Sequence, residues 1–450
     1  MVLLKHEKRK KGFEKHKMNE KEMELQLSNT LSDEESEEYL RTALKAGTIA
    51  LGSGAETARS NTIVQKILES SGSKDYVSTV ISKSIIASLN GKTEMARVAN
   101  WSTNLNKISA SNEISKKIEK GELNIRQAKE KLDELEHTTI YNFLLRLLAF
   151  VAVTVSMPIL LNGTVVDCAA ATVCGVIMAF LDALFRRIRI HEFASIVAQT
   201  FIMVTIGGLA AFLTGGRIIL DIIMAAAITP LFPGLALTNA VRDTLQGDYV
   251  SGAGRLLEAG VKALAISFGS ALGLLAATFL SGSMVERMFD SPYGIIADNA
   301  AIFWIYAGAA LIYSAGYCVL FEVTPKFLIW GALVGCIGKT LGVYIVYHTE
   351  KEILGAFIAT VVTAVLAQIL SRIFNTPAIP FLIAGIMALV PGRLLSNSIS
   401  LLISGSFAEG GTKLLNTLLI AGSIAVAIFL VDTLFLTARR IKNKKIIKKT

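Results

Sequence analysis

The stretch LFPGLALTNAVRDTLQGDY at residues 231–249 returns as LVPGRLLSNSISLLISGSF at residues 389–407. Both copies carry a Pro-Gly pair, a Thr or Ser followed by Asn, and a glycine eight residues after that Asn. One shared Pro-Gly pair would mean little, but many matches at a single offset predict an internal repeat. The matched pairs, all 158 positions apart, are Pro233 with Pro391, Gly234 with Gly392, Thr238 with Ser396, Asn239 with Asn397, and Gly247 with Gly405.

The chain around both copies is apolar enough for a bilayer. Of its 450 residues, 52% are hydrophobic and 18% are charged, whereas soluble domains carry about a quarter charged residues. Ten apolar stretches come near the roughly 17–25 residues that a membrane-spanning helix needs. They lie at 140–161, 164–184, 193–214, 218–243, 257–281, 299–320, 325–347, 353–373, 378–402 and 414–437. The sequence therefore predicts an all-α polytopic membrane protein with about ten transmembrane helices.

The helix count gives the repeat a direction. Each unit holds five predicted helices, an odd number, so equivalent helices of the two units would cross the membrane in opposite senses. Such a five-plus-five inverted repeat recurs in secondary transporters. Because two oppositely oriented copies of one unit can exchange conformations, we predict a transporter that works by alternating access.

A soluble part precedes the helices. Apolar residues alternate near 77–81 as in a strand, and helices are expected at 104–120 and 124–135. Ser53 and Glu56 have the spacing of a capping box at the start of another helix. The predicted segments are a disordered charged N-terminal segment at 1–37, a small cytosolic α+β domain at 38–138, membrane halves at 139–297 and 298–438, and a polybasic tail at 439–450.

Basic residues orient the predicted helices. The loops FRRIRIHE and SRIFN and the tail ARRIKNKKIIKKT are basic, whereas an alternate loop, SMVERMFDSPYGIIADN, is acidic. The positive-inside rule then places both termini in the cytoplasm of a multi-pass protein of the cell (plasma) membrane. The net charge of +9 is not interpreted as nucleic-acid binding, because no aromatic residues interleave the basic runs as a stacking platform.

The Pro-Gly pairs predict broken helices. Pro removes an N–H donor and Gly tolerates unusual dihedral angles, and the freed carbonyl groups must be buried in protein or line a wet cavity. The half-helix that begins there offers free N–H groups and a positive dipole end, which suits a carboxylate. The alternative for each residue is a packing kink whose Asn bonds a neighbouring helix. The predicted substrate-binding residues are Pro233, Gly234, Thr238 and Asn239 in the first copy, and Pro391, Gly392, Arg393, Ser396 and Asn397 in the second.

Charged residues at membrane depth are costly and are functional candidates by default. The predicted coupling or intramembrane charges are Asp221, Asp243, Asp248 and Lys339. Arg393 follows the second Pro-Gly pair, where the first copy has Leu235. It could hold a substrate carboxylate or neutralise Asp221.

Three aspartates near helix ends have more than one reading. Asp243 could relay a proton at the cytoplasmic mouth, pair with Arg242 or cap a helix. Asp432 is set aside because a tail arginine could pair with it, and Asp182 because Arg186 could do the same.

Enzyme chemistry has little support in the sequence. Motifs for ATP hydrolysis, serine hydrolysis and zinc-dependent hydrolysis are absent. The cysteines Cys168, Cys174, Cys318 and Cys336 all fall in predicted membrane helices, and the five histidines lack ligand spacing, so no metal and no cofactor are predicted. The stretch SGAET at 53–57 could be taken for a nucleophile motif, but it has no histidine nearby. A membrane-anchored enzyme or signalling protein is therefore the least favoured alternative.

Three stretches are recognisable as a set: AGTIALGSGAETARS, NLNKISASNEISKKIEKGELNIRQAKEKLDEL and PLFPGLALTNAVRDTLQGDYVSGAGRLLEA. They resemble the threonine/serine exporter (ThrE) family, and the second half, with FLIAGIMALVPG, resembles the companion subunit that other members encode separately. Here both halves are fused, and the resemblance covers nearly everything after about residue 38. Carried over as motif positions, without a catalytic role, are Pro233, Gly234, Asn239, Asp243 and Asp248.

The resemblance implies export of threonine and serine driven by the proton motive force. Related split systems are linked to dicarboxylate export, and Arg393 departs from the family pattern at its position. An exporter of C4-dicarboxylates such as succinate is therefore the alternative, in which Arg393 and Lys339 would hold the two carboxylates. The expected partners are the small-molecule substrate, protons and membrane lipids, with no nucleic acid and with formation of a homo-oligomer left open.

Overall fold

The computed structural model of the chain describes residues 31–98, 102–282, 300–389 and 405–447, together with residues 394, 397, 398, 401 and 402. Most of the N-terminal segment that was predicted to be disordered lies outside this part of the chain. Four of the predicted substrate-binding residues also lie outside the described residues: Pro391, Gly392, Arg393 and Ser396.

The N-terminal domain, which was predicted to be soluble and is called the soluble domain below, combines helices with a small antiparallel sheet. Its described elements are α1 (Asp33–Gly52), α2 (Thr57–Glu69), β1 (Tyr76–Ile81), β2 (Ser84–Leu89), β3 (Lys92–Arg97), α3 (Leu105–Glu119) and α4 (Ile125–His137). The strands pair in the order β1-β2-β3. The sequence predicted β1, α3 and α4 but missed β2 and β3. Strand β3 has no buried residue, so it lacks the apolar alternation that marks a half-buried strand.

Helix α1 begins inside the segment that was predicted to be disordered. The Ser32 hydroxyl accepts the Glu35 N–H at 3.2 Å, and the Glu35 carboxylate accepts the Ser32 N–H at 2.9 Å. This capping box satisfies two N–H groups that a helix end leaves without partners. Leu40 then packs with Ile63 and Ile67 of α2 in one buried core, where each such side chain contributes about 1.5–3 kcal/mol.

The rest of the described chain is a helical body. Its helices are α5 (Phe143–Leu160), α6 (Val165–Arg187), α7 (Glu192–Leu213), α8 (Leu220–Ile228), α9 (Gly234–Leu245), α10 (Tyr249–Ser281), α11 (Ala300–Leu320), α12 (Pro325–Thr349), α13 (Glu352–Ile373), α14 (Ile379–Met387) and α15 (Phe407–Ile447). Helices of the two halves pack against each other, α5 on α11 and α9 on α15.

Eight helices in the described part of the chain are long and apolar enough to cross a membrane: α5, α6, α7, α10, α11, α12, α13 and α15. Helices α8 and α9 form a further candidate span that is bent by 56° at the first Pro-Gly break. The predicted span at 378–402 begins as α14, and much of the remainder lies outside the described residues. Ten spans therefore stay a prediction.

The helix boundaries follow the repeat seen in the sequence. Helices α12, α13, α14 and α15 each begin within two residues of the position 158 after the start of α6, α7, α8 and α10. The turn after the break is the same in both copies. Gly247 donates to the Thr244 carbonyl at 3.0 Å and Gly405 to the Leu402 carbonyl at 3.2 Å. Both glycines have a left-handed φ, +89° and +85°, a backbone conformation that residues other than glycine adopt only with strain.

The soluble domain packs against one end of the helical body. The N–H groups of Leu105 and Asn106, at the start of α3, donate to the carbonyls of Phe321 and Glu322 at 2.9 and 3.0 Å. The buried Asn104 amide donates to the Glu322 carboxylate at 2.6 Å. This anchors the domain to the α11–α12 loop of the second half, while residues 53–57 reach the first half.

Candidate functional site

Helix α9 begins at the first Pro-Gly break. A 3-10 turn (Thr229–Leu231) leads into an extended Phe232, and Pro233 is the N-cap residue of a helix that starts at Gly234. No side chain caps this N-terminus, so its first N–H groups are not satisfied by a capping oxygen. One turn on, the Thr238 hydroxyl donates to the Gly234 carbonyl at 2.9 Å.

The SGAET loop, residues 53–57, joins α1 to α2 and lies directly against this half-helix. The buried Asn239 side chain donates its amide N–H to the Gly54 carbonyl at 3.1 Å. The Arg255 guanidinium, from α10, donates to the Ala55 carbonyl at 2.6 Å. Gly54 has a φ of +95°, and a Cβ on it would lie 3.1 Å from the Leu235 side chain. The close approach of the loop to α9 therefore depends on a glycine here.

The capping box predicted for Ser53 and Glu56 is wrong. Helix α2 begins one residue after Glu56, which is itself the N-cap residue, and its side chain makes no capping hydrogen bond. Its carboxylate instead contacts the guanidinium groups of Arg242 and Arg59, at 2.5 and 2.8 Å. An ion pair with two guanidinium groups is stronger than a single bond to a backbone N–H.

A charge cluster, formed by Glu56, Arg242, Asp243, Arg255 and Asp432, joins the loop to both membrane halves. The Arg242 guanidinium pairs with Glu56 on one side and with Asp432 of α15 on the other. The Glu56, Arg242 and Asp432 side chains are 4%, 10% and 17% exposed. Removing one partner from such a buried pair leaves an uncompensated charge, so the cluster favours the closed contact between loop and body.

Asp243 is fully buried within the cluster. Its Oδ2 pairs with the Arg255 Nε at 2.8 Å. Its Oδ1 accepts the Thr57 hydroxyl at 3.2 Å and the Thr57 N–H at 3.4 Å. One carboxylate oxygen of Asp243 therefore contacts a cation, and the other accepts hydrogen bonds from neutral donors.

Charge also sets the pKa of Glu56. Burial raises the pKa of this carboxyl group, but the nearby guanidinium groups of Arg242 and Arg59 lower it by more. The net pKa of Glu56 is lowered from its ordinary value, and the group is ionised at neutral pH. Arg242 thus faces a permanent carboxylate on the loop.

A narrow cavity lies beneath the loop. It leaves about 20 Å³ for the centres of water molecules, enough for one or two waters and too little for an amino acid. Its lining combines polar and apolar residues. The polar lining consists of Gly54, Glu56, Thr238, Asn239 and Arg242, and the apolar lining of Leu235, Ile379, Leu382, Ile383, Ile386, Met387 and Ile428.

The other predicted residues lie apart from the cavity lining. Asp248 accepts the Ser251 N–H at 3.1 Å and caps α10. Asp221 is in the first turn of α8, on the far side of the break from Arg242. Lys339 is a half-buried residue of α12, and Asn397 is half-buried too. The roles predicted for these residues stay predictions.

Sequence reasoning missed four members of the site: Glu56, Arg242, Arg255 and Asp432. Asp432 was set aside in favour of a tail arginine, but it pairs with Arg242 and also accepts the Gln368 amide N–H at 2.7 Å. The available signal was its depth, because an aspartate within an apolar run is costly unless it is paired. Asp182, by contrast, does contact Arg186, at 3.0 Å.

Comparisons with known proteins cover both halves of the chain. Residues 41–276 match the family described as "Putative threonine/serine exporter", and residues 307–434 match the family described as "Threonine/Serine exporter, ThrE". A protein of Mycobacterium tuberculosis (strain ATCC 25618 / H37Rv), named "Probable threonine/serine exporter", is 24% identical over 418 residues. The match covers 89% of this chain and 76% of that protein. No solved structure matches the chain.

Proposed function

The chain belongs to the threonine/serine exporter family, and from that premise we propose that it is a secondary active exporter of threonine and serine. The carrying observation is the cavity at the first helix break. Its lining includes a guanidinium, Arg242, beside the amide of Asn239, and the carboxylate of Asp243 follows Arg242 in the same helix. A zwitterionic amino acid needs one partner of each sign, and a hydroxyl group needs a neutral polar neighbour.

The lining favours an amino acid over a dicarboxylate. A C4-dicarboxylate would need two cations, and Arg242 is the one cation among the described residues that line the cavity. The carboxylate of Asp243, which is next to Arg242 in the same helix, would repel a second carboxylate from the same place. Lys339 does not line this cavity, so the dicarboxylate alternative finds no support in it.

Alternating access is the proposed mechanism. The equivalent helix starts and the identical turns at Gly247 and Gly405 support a five-plus-five repeat, whose halves would cross the membrane in opposite senses. The cavity is too small for threonine while the SGAET loop covers it. A cycle of transport therefore requires the loop to leave α9, which would open the site to the soluble domain's side.

Proton coupling is proposed because the cluster holds buried carboxylates that depend on cationic partners. The carboxylates of Glu56, Asp243 and Asp432 pair with the guanidinium groups of Arg242, Arg255 and Arg59, which stay protonated at any physiological pH. A carboxylate that loses its partner during transport could bind a proton instead. A proton bound to one carboxylate would neutralise the buried group when the loop withdraws.

We also propose that both termini lie in the cytoplasm of the cell membrane. The soluble domain contacts the end of the body that carries the α11–α12 loop and the start of α10, and Asp432 near the basic tail lies there too. These segments belong to the side that the positive-inside rule assigns to the cytoplasm.

Efflux tests the proposed function directly. Cells with and without the protein are preloaded with dipeptides of threonine, serine or alanine, or with succinate, and the released solutes are measured with and without an uncoupler. We expect threonine and serine efflux to depend on the protein and to stop with the uncoupler. If deletion leaves the efflux of every solute unchanged, the exporter proposal fails.

Asn239→Ala tests the position of the site. We expect it to reduce threonine efflux at least tenfold while the protein stays in the membrane, because the loop and the substrate would both lose this amide. Gln246→Ala is the matched control, since Gln246 is an exposed amide at the end of the same helix. The counterpart Asn397→Ala is expected to impair transport as well. Normal efflux in both asparagine variants would contradict the site assignment.

A further inference from the structure

The SGAET loop offers the membrane body the same set of groups that a hydroxy amino acid carries. The Glu56 carboxylate lies on the Arg242 guanidinium at 2.5 Å. The Thr57 N–H and hydroxyl both contact one oxygen of Asp243, at 3.4 and 3.2 Å. A carboxylate, an amino-derived N–H and a vicinal hydroxyl are thus each matched by a group of the body.

We infer that the segment Gly54–Thr57 is an internal pseudo-substrate, which occupies the binding groups that a transported threonine or serine takes when the loop withdraws. This inference rests on the proposed function. In the loaded state the substrate carboxylate replaces Glu56 on Arg242. The substrate ammonium and hydroxyl replace the Thr57 N–H and hydroxyl on Asp243.

The arrangement of Asp243 accounts for a preference for 2-amino-3-hydroxy acids. Arg255 holds Oδ2 at 2.8 Å, which fixes the carboxylate and leaves Oδ1 for donors. In threonine and serine the amino and hydroxyl groups sit on adjacent carbons, as the N–H and hydroxyl of Thr57 do. A carboxylate that is positioned for both donors discriminates against an amino acid that lacks the hydroxyl, because a buried acceptor would then lose its partner.

Space as well as chemistry requires the exchange. The cavity holds only one or two waters, and the Gly54 carbonyl occupies the Asn239 amide. When the loop leaves, its volume is added to the cavity. The side chains of Asn239, Arg242 and Asp243 on α9 then become available together. Loop and substrate therefore compete for one site, and the measured affinity is the intrinsic affinity reduced by the fraction of open protein.

Thr57→Val tests this competition in the purified full-length protein. Valine has the shape of threonine without the hydroxyl, so the loop binds α9 less well and the open fraction rises. We expect the Kd for threonine to fall about threefold to tenfold, the change that corresponds to one hydrogen bond. Thr62→Val is the matched control, because the exposed Thr62 hydroxyl donates only to the Ala58 carbonyl of its own helix.

Two further arms report on Asp243. Wild-type protein is expected to bind 2-aminobutyrate, which is threonine without its hydroxyl group, at least about tenfold more weakly than threonine. Asp243→Asn is expected to weaken threonine binding at least tenfold, because the ammonium loses its charged partner. If Asp243→Asn does not fold, Thr57→Val and 2-aminobutyrate decide the matter alone.

The outcomes separate this inference from the proposed function. If wild-type protein binds threonine but Thr57→Val binds it no more tightly than Thr62→Val, the pseudo-substrate is refuted and the exporter proposal stands. Equal affinity for threonine and 2-aminobutyrate would refute the role of Asp243. If wild-type protein binds neither threonine nor serine, both proposals fall.

Discussion

Arg242 is where the soluble domain and the two membrane halves meet. Its guanidinium contacts Glu56 of the SGAET loop and Asp432 of α15. Because all three side chains are mostly buried, deleting one partner is expected to cost about 3–5 kcal/mol. An arginine cannot lose its charge to relieve such a cost, so this residue has to be paired at every stage of a transport cycle. A substrate carboxylate that arrives as Glu56 leaves would meet that need.

Acid is expected to weaken the attachment of the loop. The pKa of Glu56 is lowered in the folded protein from the ordinary value of 4.5. Its ion pair therefore stabilises the fold fully above pH 4.5, and this contribution is lost as the pH falls below 4.5 toward the folded pKa. We predict that the thermal unfolding temperature falls more steeply below pH 4.5 in wild-type protein than in Glu56→Gln. Unfolding in detergent, followed across pH 7 to 3, measures this.

Glu69→Gln provides the control for that titration. Glu69 is an exposed carboxylate near the end of the same helix α2, so its removal should leave the pH slope as in wild-type protein. Equal slopes for wild-type protein and Glu56→Gln would show that the ion pair does not contribute as described.

Single residues were predicted in part. Asn239 and Asp243 were identified because they lie on a repeated motif in an apolar run. Their partners could not be identified, because the Asn239–Gly54 hydrogen bond joins residues 185 positions apart. Periodicity and spacing report on neighbours within a few turns, whereas this contact depends on how a separate domain packs.

At the scale of elements, one glycine in each copy allows close packing after the Pro-Gly motif: Gly252 in the first copy and Gly410 in the second. A Cβ on Gly252 would lie 2.9 Å from the Ala240 carbonyl oxygen, and a Cβ on Gly410 would lie 3.0 Å from the Ser398 carbonyl oxygen. Ala240 and Ser398 are again 158 positions apart, as are the two glycines. Helix α10 at Gly252 and helix α15 at Gly410 therefore approach these two described carbonyl groups about equally closely.

Gly252→Ala and Gly410→Ala are predicted to destabilise the protein. A methyl group forced against backbone atoms typically costs 1–3 kcal/mol, to the order of magnitude. Gly260→Ala and Gly411→Ala are the controls in the same two helices, since nothing lies within 4 Å of a Cβ at either position. These should be neutral or slightly stabilising, because alanine favours a helix over glycine by about 1 kcal/mol.

Thermal unfolding in detergent compares the four glycine variants. A repeat built on the same close packing requires both Gly252→Ala and Gly410→Ala to unfold earlier than their controls. If only Gly252→Ala does so, Gly410 in the second copy is packed differently from Gly252 in the first.

The sequence predicted most long helices but placed several ends inaccurately. Helices α10 and α15 begin at Tyr249 and Phe407, about two turns before the apolar runs that were predicted to start at 257 and 414. Their first two turns contain glycines and charged residues such as Arg255 and Glu409, so the continuous apolar runs begin later. The capping carboxylate of Asp248 is the signal that could have extended α10 to its true start.

At the scale of the whole molecule, the soluble domain bridges the two membrane halves. It is anchored to the α11–α12 loop of the second half by Leu105 and Asn106, and to α9 and α10 of the first half by the SGAET loop. A movement of one half relative to the other must therefore strain or release one of these contacts. The contact with α9 covers the cavity, so it is the one whose release would matter for transport.

Surface labelling tests the orientation that follows from this arrangement. Lys74 is an exposed residue of the soluble domain, and Arg217 is an exposed residue of the loop between α7 and α8. We predict that a membrane-impermeant maleimide labels Arg217→Cys in intact cells, but labels Lys74→Cys only after permeabilisation. Wild-type protein, with its four native cysteines, gives the background. Labelling of Lys74→Cys in intact cells would reverse the proposed orientation.

Transport by the purified protein in proteoliposomes tests the central claim most directly. Vesicles loaded with radiolabelled threonine receive wild-type protein, Arg242→Gln or the exposed-site control Arg186→Gln, and release is followed under an imposed proton gradient. We predict gradient-dependent release of threonine by wild-type protein and by Arg186→Gln, and release at the level of empty vesicles by Arg242→Gln. Wild-type release no faster than that of empty vesicles, or full activity of Arg242→Gln, would contradict an exporter whose substrate site lies at the first helix break.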